Sequence, residues 1–215
     1  MLGLDPVVAV MRAIILFISL PVHELAHAYT ANAFGDDTPR ANGRLTLNPL
    51  AHLDVLGSLM LVFAGFGWAK PVPVNLYALE RRSSAAPMWV ALAGPMSNLG
   101  LAALAAIPLW LGLVPFSFSN TGFLPTPYVF LREFIFINLL LVLFNLLPIY
   151  PLDGEKVAVS LFPPNVARVF ETIRPYGPLI LLAVVFLLPR LGLDVFGMLI
   201  RPVLSSLLRL FGVPL

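Results

Sequence analysis

A run of apolar residues from about 7 to 34 limits the folding of this chain more than any other feature. It exceeds the ~20 residues a helix needs to cross the hydrocarbon layer of a bilayer. Four further stretches are long enough to consider, at about 86–113, 128–149, 178–193 and 195–213. The last is interrupted by Arg201, Pro202 and Arg209. Only 11% of the 215 residues are charged and 59% are hydrophobic. An ordinary soluble domain carries about 25% charged residues, so there is too little polar side chain here to cover a water-soluble body. The expected fold is an all-α polytopic membrane protein of one domain over residues 1–215, with about five transmembrane helices.

Between the first two stretches lie a polar region, 35–48, and a short apolar piece, 55–68. That piece is too short and too glycine-rich to cross as a helix, so it reads as a re-entrant or β-hairpin element. Such backbone must be buried in protein or line a wet cavity. The first apolar run holds charged and histidine residues and lacks a small-residue cleavage site, so it reads as a span and not as a cleaved signal. The last two stretches, about 177–215, read as a C-terminal helical hairpin.

The basic residues are unevenly placed. Arg40, Arg44, Lys70, Arg81 and Arg82 follow the first span, and Lys156, Arg168 and Arg174 follow the third. The linker at 114–127 has none. Basic linkers favour the cytoplasm, which puts the N-terminus outside. A net charge of +2 is too small to suggest nucleic acid. The absence of cysteine excludes disulfides and thiolate metal sites.

Inside the first span stands His23-Glu24-Leu25-Ala26-His27. One helical turn separates the histidines, so both imidazoles leave the same face, the spacing of two ligands of a tetrahedral zinc. Glu24 is placed to act as general base on a water without being a ligand itself. An ionised side chain at the centre of a span costs about 2.5–3.5 kcal/mol even on permissive scales, and a divalent metal supplies compensation for three such groups on one turn. A third protein ligand is needed. His52, Asp36, Asp37, Asp54 and Asp153 all fall toward the same end of the spans, whereas Glu133 sits near the opposite end of span three. Asp153 stands out because Pro148, Pro151 and Gly154 surround it, the pattern of a helix broken to aim a carboxylate.

These segments together resemble the site-2 protease family of intramembrane zinc metalloproteases, in its short prokaryotic type without a PDZ domain. The likeness is carried by the histidine motif, Gly43-Arg44-Leu45-Thr46-Leu47-Asn48-Pro49 through Asp54, Gly65-Phe66-Gly67-Trp68-Ala69-Lys70-Pro71 through Asn75, Ala93-Gly94-Pro95-Met96-Ser97-Asn98, and Phe144-Asn145-Leu146-Leu147-Pro148 through Leu152-Asp153-Gly154, in that order. Residues from about 12 to 160 take part; Glu155 stands where glycine or serine is commoner. The resemblance implies one Zn2+ per chain, with Asp153 as third ligand beside His23 and His27. It implies a catalytic core over about 7–160 and hydrolysis of peptide bonds in or near transmembrane segments. The bilayer and transmembrane-protein substrates are the expected partners. An upstream site-1-type protease and a homo-oligomer are compatible with it.

Other residues carry two readings. His52 is either a substrate or oxyanion residue at the mouth of the site or a structural hydrogen-bonding group in its loop. Asn145 reads as interhelical glue or as an oxyanion or ligand-orienting group. Gly94, Pro95 and Asn98 in the second span suit close packing and a local kink, with Asn98 holding the first helix in register, and they also suit shaping of the cleft. A metal transporter would need a polar path across both leaflets, and the outer ends of spans one and two offer little polarity.

Overall fold

The computed structural model describes residues 6–52, 54, 69–117 and 125–213. The segment 55–68, expected as a re-entrant element or hairpin, lies outside the described residues. The chain is an all-α polytopic membrane fold. Helix α1 (Pro6–Ala33) is followed by a short α2 (Thr38–Ala41), α3 (Leu76–Arg82), α4 (Ala86–Trp110), α5 (Pro127–Asn145) and α6 (Asp153–Leu161). Then come α7 (Pro164–Ile173), a 3-10 turn, α8 (Gly177–Leu182), a π-helical stretch (Ala183–Leu187), α9 (Leu188–Arg190) and α10 (Val195–Leu210).

Among the described residues, four helical segments are long and apolar enough to cross a membrane: Val7–Ala33, Ala86–Trp110, Pro127–Asn145 and the composite Pro164–Arg190. The fourth begins earlier than the hydropathy of 178–193 suggests. Pro164 starts the helix at its first turn, where a missing N–H costs nothing, and Arg168, Glu171 and Arg174 then mask the helical run in a hydropathy reading. The fifth apolar stretch forms α10, whose 16 residues span about 24 Å, short of the ~30 Å hydrocarbon layer. It lays Ile200, Leu204 and Leu208 in a buried stripe and packs against α5.

Helix α4 is the centre of the bundle and packs on α1, α5 and α6. Its buried face is built from small residues, Ala91, Gly94, Ala102, Ala105 and Ala106 among them, which lets neighbouring backbones approach closely. Met11 and Ile15 of α1 and Ile135 and Leu139 of α5 complete the core around it. Phe17, Trp89, Leu104 and Trp110 remain exposed, as suits surfaces that meet lipid. One ion pair joins spans one and three: Arg12 Nε lies 2.6 Å from Glu133 Oε1.

The loop side is held by buried polar groups. Arg44 donates to the carbonyls of Ala51, Lys70 and Pro71. Asp36 accepts from the N–H groups of Thr38 and Asn75. These bonds fix the extended segment 70–75 beside the bundle.

Candidate metal centre

Helix α1 carries His23 and His27 on its face toward α4, with the rings edge to face and centroids 4.6 Å apart. The third member arrives from α6. Helix α5 ends at Asn145, and Pro148 and Pro151 prevent it from continuing through the turn that follows. Asp153 is then the first residue of α6, where the helix dipole favours a carboxylate. A Cβ on Gly154 would overlap the backbone carbonyl of Leu146 and stand 2.5 Å from that of Leu147. Glycine there is what allows the first turn of α6 to fold back on the end of α5 and bring the acid inward.

His23 Nε2 and His27 Nε2 are 3.0 Å apart, and Asp153 Oδ2 lies 3.2 Å and 3.1 Å from them. Tetrahedral zinc with bonds of about 2.0–2.1 Å separates its donors by about 3.3–3.4 Å, so this triangle fits one face of such a site within a few tenths of an ångström. Two imidazoles and one carboxylate are also the donor types zinc takes, and three donors leave a fourth position free. All three residues are buried. Burial opposes ionisation of Asp153, but the adjacent His27 and His23 outweigh it and hold the carboxyl well below the usual carboxylate range. Asp153 is thus a ready anionic donor.

Each imidazole is held from behind. His27 Nδ1–H donates to the Val90 carbonyl at 2.6 Å, and His23 Nδ1 is 2.7 Å from Asn98 Oδ1. Gly94 faces the rings directly. A Cβ there would collide with His27 Nε2 and stand 2.5 Å from His23 Nε2. The glycine therefore makes room for the donor atoms themselves, a tighter constraint than helix packing. Pro95 is buried beside it within α4.

A cavity of about 600 Å³ opens onto the triad, and His23, Glu24, His27 and Asp153 all line it. Asn145 lines it too, with one N–H donated to the Leu141 carbonyl at 3.0 Å. Lys156, not singled out from the sequence, stands at the wall with Nζ 3.7 Å from Asp153 Oδ1. The remaining walls are mainly apolar: Val72 and Val74 from the extended segment, Phe144 from α5, Leu181 and Val185 from the fourth span. His52 is absent from this lining. It is buried in its loop, its Nε2 is 2.8 Å from the Thr46 carbonyl, and its own carbonyl accepts from Lys70 N–H at 2.8 Å. Asp36 is occupied as described, while Asp37 and Asp54 do not line the cavity.

No family profile matches the chain, and no solved structure matches it significantly. Curated relatives do. The chain is 42% identical over 203 residues, 93% of its length and 90% of the relative's, to the Bacillus subtilis protein named "Putative zinc metalloprotease YwhC". It is 32% identical over 186 residues, 84% of its length and 68% of the relative's, to the Mycobacterium tuberculosis protein named "Putative zinc metalloprotease Rip2". With a cluster able to hold a metal ion at the junction of α1 and α6, and with identity of this extent to such relatives, the chain is a zinc metalloprotease of the site-2 protease family.

Proposed function

We propose that this protein is an intramembrane endopeptidase that hydrolyses peptide bonds in or near transmembrane segments, with zinc held by His23, His27 and Asp153. The convergence of those three donor atoms within a buried, mainly apolar cavity supports this reading most directly. When bound, zinc supplies Lewis acidity, polarising a carbonyl oxygen and lowering the pKa of a coordinated water to about 7.

Glu24 shares the cavity with the triad but is not one of its converging donors, the position a general base needs. It takes a proton from the attacking water and returns it to the departing amine as the carbon–nitrogen bond breaks. Asn145 retains a carboxamide oxygen and a second N–H beyond its bond to Leu141, and that N–H serves as a donor to the oxyanion. His52 serves the fold of its loop. The active site faces the cytoplasmic side, in keeping with the basic linkers.

A helical substrate hides its peptide bonds, so it must be extended before water reaches them. Pro71, Val72 and Val74 line the cavity, and the N–H groups of the two valines suit strand addition by an unwound substrate. Val72→Pro is expected to impair cleavage without loss of zinc; unchanged turnover in that variant would remove strand addition from the reading.

The deciding experiment measures zinc content and cleavage of a reporter transmembrane substrate together. Glu24→Gln is expected to keep zinc and lose cleavage by about 10²-fold or more, and His23→Ala to lose both. Full cleavage by the glutamine variant would end the assignment of Glu24.

A further inference from the structure

Behind the triad runs a chain of buried amides that crosses the three central helices. His23 Nδ1 lies 2.7 Å from Asn98 Oδ1, Asn98 Nδ2 donates to Asn138 Oδ1 at 3.0 Å, and Asn138 Nδ2 donates to the Phe134 carbonyl at 2.9 Å. Asn98 Nδ2 also stands 3.4 Å from the Ser19 carbonyl. Asn98 and Asn138 are both fully buried.

The direction of this chain follows from its far end. A backbone carbonyl only accepts, so Asn138 turns its NH2 to Phe134 and its oxygen to Asn98. Asn98 must answer with its own NH2, which the Ser19 carbonyl also favours. Its oxygen is left for His23, and an oxygen can only accept there. His23 therefore carries its proton on Nδ1 and presents the lone pair of Nε2 toward His27 and Asp153. We propose that Asn98, polarised by Asn138, is a positioning residue that selects the Nδ1–H tautomer of His23 and so readies Nε2 as a metal donor. This rests on the reading of His23 as a zinc ligand. Packing alone would not need the arrangement: two buried amides in a span are costly, and apolar residues of similar size would fill the same space.

The two accounts part on one pair of variants. Asn98→Leu fills the volume and offers no acceptor. Asn98→Asp keeps the acceptor and adds a charge that a packing role would find worse than leucine. Zinc affinity, measured by competition with a chelator on the full chain in nanodiscs, is expected to fall about 10–100-fold in Asn98→Leu and to fall less in Asn98→Asp. Cobalt-substituted Asn98→Asp should keep the visible absorption of the wild type, while Asn98→Leu should lose or shift it. Wild-type affinity in Asn98→Leu, or weaker binding in Asn98→Asp than in Asn98→Leu, would overturn the proposal. A measurement on the zinc-loaded wild type needs no variant: nitrogen-15 histidine spectra should show one His23 Nδ1–H proton in a strong hydrogen bond and protected from solvent, and its absence would overturn the proposal equally. His23→Ala separates the layers. If that variant binds zinc as the wild type does, the ligand reading falls and takes the tautomer with it; if it does not, while Asn98→Leu does, only the tautomer argument falls.

Discussion

The three central spans and the fourth are built on opposite terms. In α1, α4 and α5, 33–39% of the most apolar window is buried inside the protein; in Pro164–Arg190 the share is 6%. The central helices meet through small residues and amides, and they hold two of the three candidate ligands. The fourth is fastened at its base. Arg174 donates to the buried Glu155 through Nε at 2.9 Å and Nη2 at 2.6 Å, and Gly177 approaches the Tyr150 carbonyl so closely that a Cβ would overlap it. Beyond that anchor, Leu181, Leu182, Val185 and Phe186 line the cavity, and the stretch Ala183–Leu187 touches α10. The contrast separates a part that aligns atoms from a part that bounds the cavity. Disturbing the first should cost metal and chemistry; disturbing the second should cost stability or substrate affinity alone.

The largest effect is expected at Gly94. In Gly94→Ala the new methyl must occupy the volume of the His27 and His23 donor atoms, and the obstacle is that histidine pair on α1, which packs against α4. Zinc binding should drop by about 100-fold or more, beyond the 10–100-fold typical of losing an outer hydrogen bond, with cleavage falling alongside it. Zinc content after chelator challenge checks this. Retention of wild-type zinc would mean the central spans give way easily and are not the rigid partner in the comparison.

Arg174→Ala tests the anchor. It leaves the Glu155 carboxylate buried without its partner, a loss that costs about 3–5 kcal/mol for fully buried pairs. Arg174 is itself 42% exposed, so about 2–3 kcal/mol is expected here. Thermal melting should register that loss while zinc affinity stays near the wild type. Equal loss of zinc would show that the fourth span and the metal centre are one cooperative unit.

How legible this division was in the sequence depends on the range of the interactions. The histidine pair shows itself because one helical turn is a local spacing. Asp153 shows itself because prolines and Gly154 punctuate the chain beside it. The bond from His23 to Asn98 joins residues 75 positions apart on different helices, and no periodicity announces such a contact; the sequence reads Asn98 as a group that holds the first helix in register or shapes the cleft, without naming its partner there. Gly94 was readable as a site of close approach, but what approaches it is decided in three dimensions. The same holds for the Val90 carbonyl behind His27, since every residue has a carbonyl. The helix that carries the fourth apolar stretch begins at Pro164, before that stretch, because charges on one face of an amphipathic turn lower hydropathy without ending a helix.

The smallest expected effect is the most specific to the comparison. Leu181 lines the cavity from the fourth span and is only partly buried, whereas Leu179, two residues before it, does not line the cavity and is 66% exposed. A substrate in the cavity would cover Leu181, and Leu181→Ala removes part of that apolar contact, worth about 1–2 kcal/mol at most. KM should therefore rise about three- to tenfold with kcat unchanged, the signature of binding shared equally by ground and transition states. Zinc affinity should not move, because Leu181 is outside the ligand cluster and the hydrogen bonds that back it. Leu179→Ala should leave both constants as they were. Should Leu181→Ala lower kcat while KM holds, the fourth span would be helping to align the reacting groups, and the boundary between aligning and enclosing parts would have to be drawn through that helix instead of around it.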